Sequence, residues 1–201
     1  MHQLEPYFNW KDRYLAESDE RSPFFGRLHS QPAFKTIYNY CLHPEWDEFG
    51  SETLFAKLLF VDYDEGAAII EFVGEWNDAI GNDIMFLWEN VINPLLNSSI
   101  YKFILIGENI LNFHGSEDDY YQAWFDELKE NAGWIVGLNF RAHVIDEMDN
   151  YGLLSFLHLK NPFKSVVWRT HKPEILVEKI ERTLCYALSS GVTLLQSVPK
   201  Q

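Results

Sequence analysis

The chain has 201 residues, 47% of them hydrophobic, 16% aromatic and 23% charged, with a formal charge of −14. This composition excludes wholesale disorder, collagen-like and low-complexity classes, and a chain of this length buries roughly 70% of its unfolded surface without a covalent staple. Thirty acids against 16 bases would repel a phosphate backbone, so nucleic acid is not expected as a partner.

Cys41 and Cys185 are the two cysteines, too few for a disulfide framework or a zinc quartet. No basic segment followed by an apolar one suggests a secretory leader. The longest apolar runs, such as 58–61 and 103–106, are far shorter than the roughly 20 residues of a membrane helix. A soluble, cytoplasmic protein without membrane association is expected. The charge is uneven: nine bases stand against 27 acids through Tyr151, and seven against three after it. Either the mildly basic tail lies across the acidic body, or the acidic face docks a basic partner.

In chain order, Tyr7, Trp10, Tyr14 and Leu15 have helical spacing and predict a short amphipathic helix in an N-terminal arm, 1–33. Aromatic and β-branched residues predict strands at 34–42 and 53–63, and Asp64-Glu65-Gly66 turns the chain into a third at 67–76. These three are expected to form an antiparallel meander. Asn82 can cap a helix carrying Ile84, Leu87, Trp88, Val91, Ile92 and Leu95, with Pro94 marking a kink. A buried strand at 103–106 leads through a loop, 108–115, to Ser116, whose hydroxyl suits an N-cap before Glu117, Asp118 and Asp119. That helix is expected to end near Gly133. A strand at 134–140, a helix at 142–148 and a possible last strand at 153–159 follow. Pro173 suits the first turn of a final helix through Leu188, closed by Gly191. The order predicts one α/β domain with a mixed sheet: a meander, then βαβ units, with a core at 34–159 and a C-terminal helical segment at 160–201.

The stretch Ile69-Ile-Glu-Phe-Val-Gly74-Glu-Trp-Asn-Asp78, an amphipathic helix, the strand Lys102-Phe-Ile-Leu-Ile106 and a loop through Ser116 into another helix resemble a STAS domain, the fold of anti-sigma-factor antagonists. The resemblance spans about residues 53–145. It implies a regulatory protein-binding module with a phosphorylatable serine at position 116. The family's Asp-Ser-x-Gly signature is not present around His114-Gly115-Ser116, and local physics reads Ser116 as a cap.

No nucleophile elbow, phosphate loop, dinucleotide fingerprint or zinc-protease motif occurs, and no cofactor is expected. An enzymatic or small-molecule site would have to arise where strand-end loops converge, at 76–83, 107–116 and 141–147. Their polar residues include Asn77, Asp78, Glu108, Asn109, Asn112, His114, Ser116, Arg141, His143 and Asp146, which either form a pocket or act as caps and turn formers. His43-Pro-Glu45-Trp-Asp47-Glu48 is read as a solvated acidic turn, with no resident metal. Trp46 and Phe49, flanking Asp47 and Glu48, are expected near the surface as contacts for a protein partner or a second copy. The leading expectation is a non-catalytic interaction module with an acidic aromatic face; the alternative is a small-molecule-binding or hydrolytic enzyme.

Overall fold

The computed structural model describes residues 2–29, 35–116 and 119–189, in a mixed α/β arrangement. Three short strands come first: β1 (His2–Leu4), β2 (Lys35–Ile37) and β3 (Tyr40–Leu42). They form a small sheet of their own in the order β1-β3-β2, with β1 parallel and β2 antiparallel to β3. The expected three-strand meander is therefore corrected. Tyr38 at φ 51° folds 35–42 back on itself, so its backbone pairs internally and with β1; a lone Asp47–Ala56 bridge links the neighbouring loop to the main sheet.

The main sheet consists of β4 (Leu54–Asp62), β5 (Ala67–Asn77), β6 (Lys102–His114) and β7 (Trp134–Leu138), side by side in chain order. β4 and β5 are antiparallel; β5, β6 and β7 are parallel. The predicted turn joins β4 to β5: Asp62 Oδ1 accepts the N–H groups of Asp64 and Glu65, both at 3.0 Å, and Gly66 takes φ 65°. β6 is far longer than the apolar run that announced it. Its polar half, predicted as a loop, stays paired with β5 as far as Asn77 opposite His114, through two irregularities in register. Phe140 explains two small residues in the parallel half, since a Cβ on Gly107 or Gly137 would meet its ring at 2.5 or 2.7 Å.

After β5 the chain is helical from Asp83 to Asn97: α1 (Asp83–Leu87), one π-turn (Trp88–Ile92) and α2 (Asn93–Asn97). The π-turn takes the place of the expected kink. Pro94 has no N–H to give, and the wider turn, closed by Asn93 N–H on the Trp88 carbonyl, precedes it. α3 (Asp119–Glu130), α4 (Ala142–Asn150) and α5 (Pro173–Ser189) follow. The stretch expected as a last strand is a 3₁₀ turn, Leu153–Ser155, and one parallel bridge from His158 to Val136. Gly191 lies outside the described residues.

The sheet is covered on both sides, which is why β5 and β6 lack strict alternation. Ala68, Ile70, Phe72, Phe103 and Leu105 pack under α1 to α4 together with Trp124, Leu128, Val144 and Met148. Ile69, Ile104, Ile106 and Val136 pack on the other side against α5, Trp168 and Trp10. The arm is not the predicted helix. It is a set of turns around Trp10, whose spacing reflects one-sided burial: Tyr7 and Trp10 meet Trp168 edge to face, and Tyr7 N–H goes to the Glu71 carboxylate. Among the described residues no helix is long and apolar enough to cross a membrane.

Candidate functional site

Beyond the carboxyl ends of β5 and β6, where open α/β sheets usually place ligands, lies a hollow of about 350 Å³ lined by Asp78, Ala79, Ile80, Asn82, Ile84, Ser116, Asp119 and Tyr120. Two of the three predicted loops meet there. The His114 carbonyl accepts Asp78 N–H at 2.8 Å and Ala79 N–H at 3.1 Å, locking the turn after β5 to the end of β6.

Asp78 is the buried acid of this wall. Its Oδ1 accepts Trp76 Nε1–H at 3.0 Å and Ile84 N–H at 2.9 Å, and its Oδ2 accepts the Tyr121 hydroxyl at 2.8 Å. It thus caps the helix beginning at Asp83, the role expected of Asn82. Asn82 occupies the cap position with φ 52° and makes no side-chain cap bond. Burial pushes the Asp78 carboxyl up to about 6 against the pull of those hydrogen bonds, and the nearby Asp83 adds to the rise. Asp83, also buried, accepts Asn77 N–H at 2.7 Å, while Asn77 Oδ1 accepts Ile80 N–H at 3.0 Å. Ile80, left 90% exposed, stands at the rim.

The remaining predicted residues are dispersed. Asn112 donates to Tyr38 Oη at 3.2 Å and to Glu75 at 3.1 Å, with Tyr38 also hydrogen-bonded to Glu75; that hydroxyl holds the Glu75 carboxyl below its usual range. Asn109 is half-buried on β6 opposite Val73. His114 is exposed and gives the site its carbonyl only. Arg141 Nε donates to the Glu108 carbonyl at 3.3 Å and His143 Nε2 to the Leu111 carbonyl at 2.7 Å, so the third loop lashes the start of α4 to β6 and does not reach the hollow. Asp146 is exposed on α4. Ser116 is exposed at the rim, and the cap expected of it falls on residues 117 and 118, outside the described residues.

The acidic loop before β4 is corrected more sharply. Trp46 is 4% exposed, with its Nε1–H on the Leu4 carbonyl at 3.0 Å, and Phe49 is 2% exposed. Both fill apolar space between the small sheet, β4 and the helix after β5, so neither is a surface aromatic. Asp47 is buried between His29, at 2.9 Å, and Lys57, at 3.3 Å. Glu45 pairs with Lys11 and Glu48 with Lys35, so the four acidic and imidazole groups of 43–48 point to separate partners.

Two groups escaped sequence reasoning. Lys57 and Glu71 stand opposite each other in the register of β4 and β5, each the one charge within the buried run of its strand, 54–61 and 67–74. That interruption is the signal available in the sequence. Glu71 Oε2 accepts Tyr7 N–H at 2.8 Å, and Arg169 bridges Glu71 and Glu108. Burial raises the Glu71 carboxyl to about 7, opposed by Tyr7 N–H and Arg169 and reinforced by the charge of Glu108. No family model matches the chain, and no curated protein matches it as a relative.

Proposed function

We propose that the chain is a non-catalytic interaction or regulatory module that engages a basic protein partner through the outer faces of α3 and α4. The observation that carries this reading is the charge those helices present. They hold seven acids, Asp119, Asp126, Glu127, Glu130, Asp146, Glu147 and Asp149, against one base, Lys129, and six of the seven acids are exposed. Both helices cover the same side of the sheet. By contrast, four of the eleven acids between Glu45 and Asp83 are buried, namely Asp47, Glu71, Asp78 and Asp83, and they hold strands and turns together. Two copies would bring like charges together through this face, which favours a basic heterologous partner over self-association. The resemblance to anti-sigma-factor antagonists points to the same class of role.

A second reading, a small-molecule site, is favoured by the strand-end position of the 350 Å³ hollow. One experiment addresses both. Partner capture is compared at low and high salt for the native chain and for a variant with Asp126→Asn, Glu127→Gln, Glu130→Gln, Asp146→Asn and Glu147→Gln. Exposed charges are screened within about 10 Å at 0.1 M salt, so capture through this face is lost at high salt and in the variant. Equal recovery of the same partner in all arms rejects the acidic face, and a ligand held by the native chain but lost in Asn82→Ala supports the second reading.

A further inference from the structure

The main sheet's first edge carries a second hollow, of about 230 Å³, beside the small β1-β3-β2 sheet. Its apolar walls include Trp46 and Phe55, which belong to the cluster with Leu42 and Val73. Around them stand Arg27, His29, Lys35 and His43. Two cations, Arg27 and Lys35, and two imidazoles thus stand at one opening of a chain whose formal charge is −14, against Glu48 as the one acid of the lining among the described residues.

We propose that this hollow binds a small anionic ligand with a planar apolar body, an aromatic carboxylate or phosphate. The volume sets the size, since pockets for drug-sized ligands begin at roughly 300 Å³. The apolar lining, Leu28, Leu42 and Pro44 over the buried Trp46 and Phe55, receives the planar body, and three features receive the anion. The His29 imidazole is oriented by its Nε2–H bond to Asp47 Oδ1, 2.9 Å away, and in the imidazolium form Nδ1–H is the donor left for an anionic ligand. Asp47 is 1% exposed and is itself held by Lys57 Nζ at 3.3 Å, so the orienting carboxylate sits behind the imidazole and does not face the opening. Arg27 lies over the Phe24 ring, 4.9 Å from its centroid, and among the described residues has no carboxylate partner; its planar fork suits two oxygens of one anion. Lys35 rests 5.0 Å from the Phe55 centroid and pairs with the exposed Glu48 at 2.6 Å. An exposed pair of that kind contributes little by itself, and an incoming anion can replace Glu48 as the partner. This inference is independent of the acidic helices, which lie on another part of the molecule.

The test titrates the full chain with four probes, phenyl phosphate, benzoate, inorganic phosphate and benzyl alcohol, following the Trp46 indole N–H resonance, assigned by its disappearance in Trp46→Phe. Phenyl phosphate or benzoate is expected to shift that resonance saturably, and whichever binds more tightly identifies the anionic group. Benzyl alcohol and inorganic phosphate are expected to bind at least about tenfold more weakly, each lacking one of the two recognised features. Arg27→Gln and His29→Gln are each expected to weaken binding about tenfold, the equivalent of one charge-assisted hydrogen bond. Arg27 is not part of the buried ion network, so its variant keeps the test decisive if His29→Gln does not fold. Absence of a saturable shift with every probe, undiminished affinity in Arg27→Gln, or benzyl alcohol binding as tightly as the aromatic anions would each overturn the proposal.

Discussion

The Tyr121 hydroxyl donates to Asp78 Oδ2 at 2.8 Å, and both residues are buried, so the first turn of α3 is fastened to the turn that ends β5. The same carboxylate caps the helix after β5 through Ile84 N–H. One side chain therefore sets the distance between the two elements that wall the strand-end hollow. Removing the hydroxyl leaves a buried carboxylate short of a donor. Tyr121→Phe is expected to lower stability by about 1 to 3 kcal/mol, while Asp78→Asn, which keeps an acceptor oxygen, is expected to lower it less at neutral pH. Chemical denaturation of the two variants checks the order; a Tyr121→Phe protein as stable as the native chain contradicts it.

Leu105 is fully buried on β6 beneath the α3 side of the sheet. Leu105→Ala is expected to cost about 2 to 5 kcal/mol, the range for emptying a central strand position. An unchanged melting temperature would show that β6 is not the central strand.

Glu71 gives a pH test with a definite sign. Its carboxyl titrates near 7 in the folded chain, above the ordinary 4.5, so folding binds the proton more tightly. The contribution to stability is then fully present below about 4.5 and is lost as pH rises through about 7. Glutamine imitates the protonated form. Glu71→Gln is expected to gain on the native chain, by on the order of 2 kcal/mol, between pH 5 and pH 8. Thermal melts of both proteins across that range decide it, and a difference independent of pH would show that Glu71 stays charged throughout.

Ser116 is exposed at the rim of the hollow beside Asp78 and Asp119. A surface substitution of this kind is expected to move stability by no more than about 0.5 kcal/mol, so Ser116→Asp and Ser116→Ala should both melt close to the native temperature. If the resemblance to anti-sigma-factor antagonists extends to a switch, Ser116→Asp alters partner capture and Ser116→Ala does not. Capture unchanged in both variants leaves Ser116 without a role in recognition.

The hairpin of β4 and β5, the buried strands β6 and β7, and the helices α3, α4 and α5 were all legible in the sequence, because each rests on local patterns: Gly66 in a turn, apolar runs, Pro173 at a helix start. What the sequence did not disclose depends on partners far away along the chain. The polar half of β6 reads as a loop until Asn112 finds Glu75 and Tyr38, and the arm reads as a helix until Tyr7 and Trp10 find Trp168. Trp46 reads as a surface aromatic among acids until β1 supplies the Leu4 carbonyl for its N–H. Asp78, a turn former by local rules, becomes a capping acid because Tyr121, 43 positions later, is folded against it. Composition and periodicity determine which side chains leave water; which charged groups are buried with them depends on pairings such as Asp47 with His29 and Lys57, and those exist only once the tertiary structure has brought the partners within hydrogen-bonding distance.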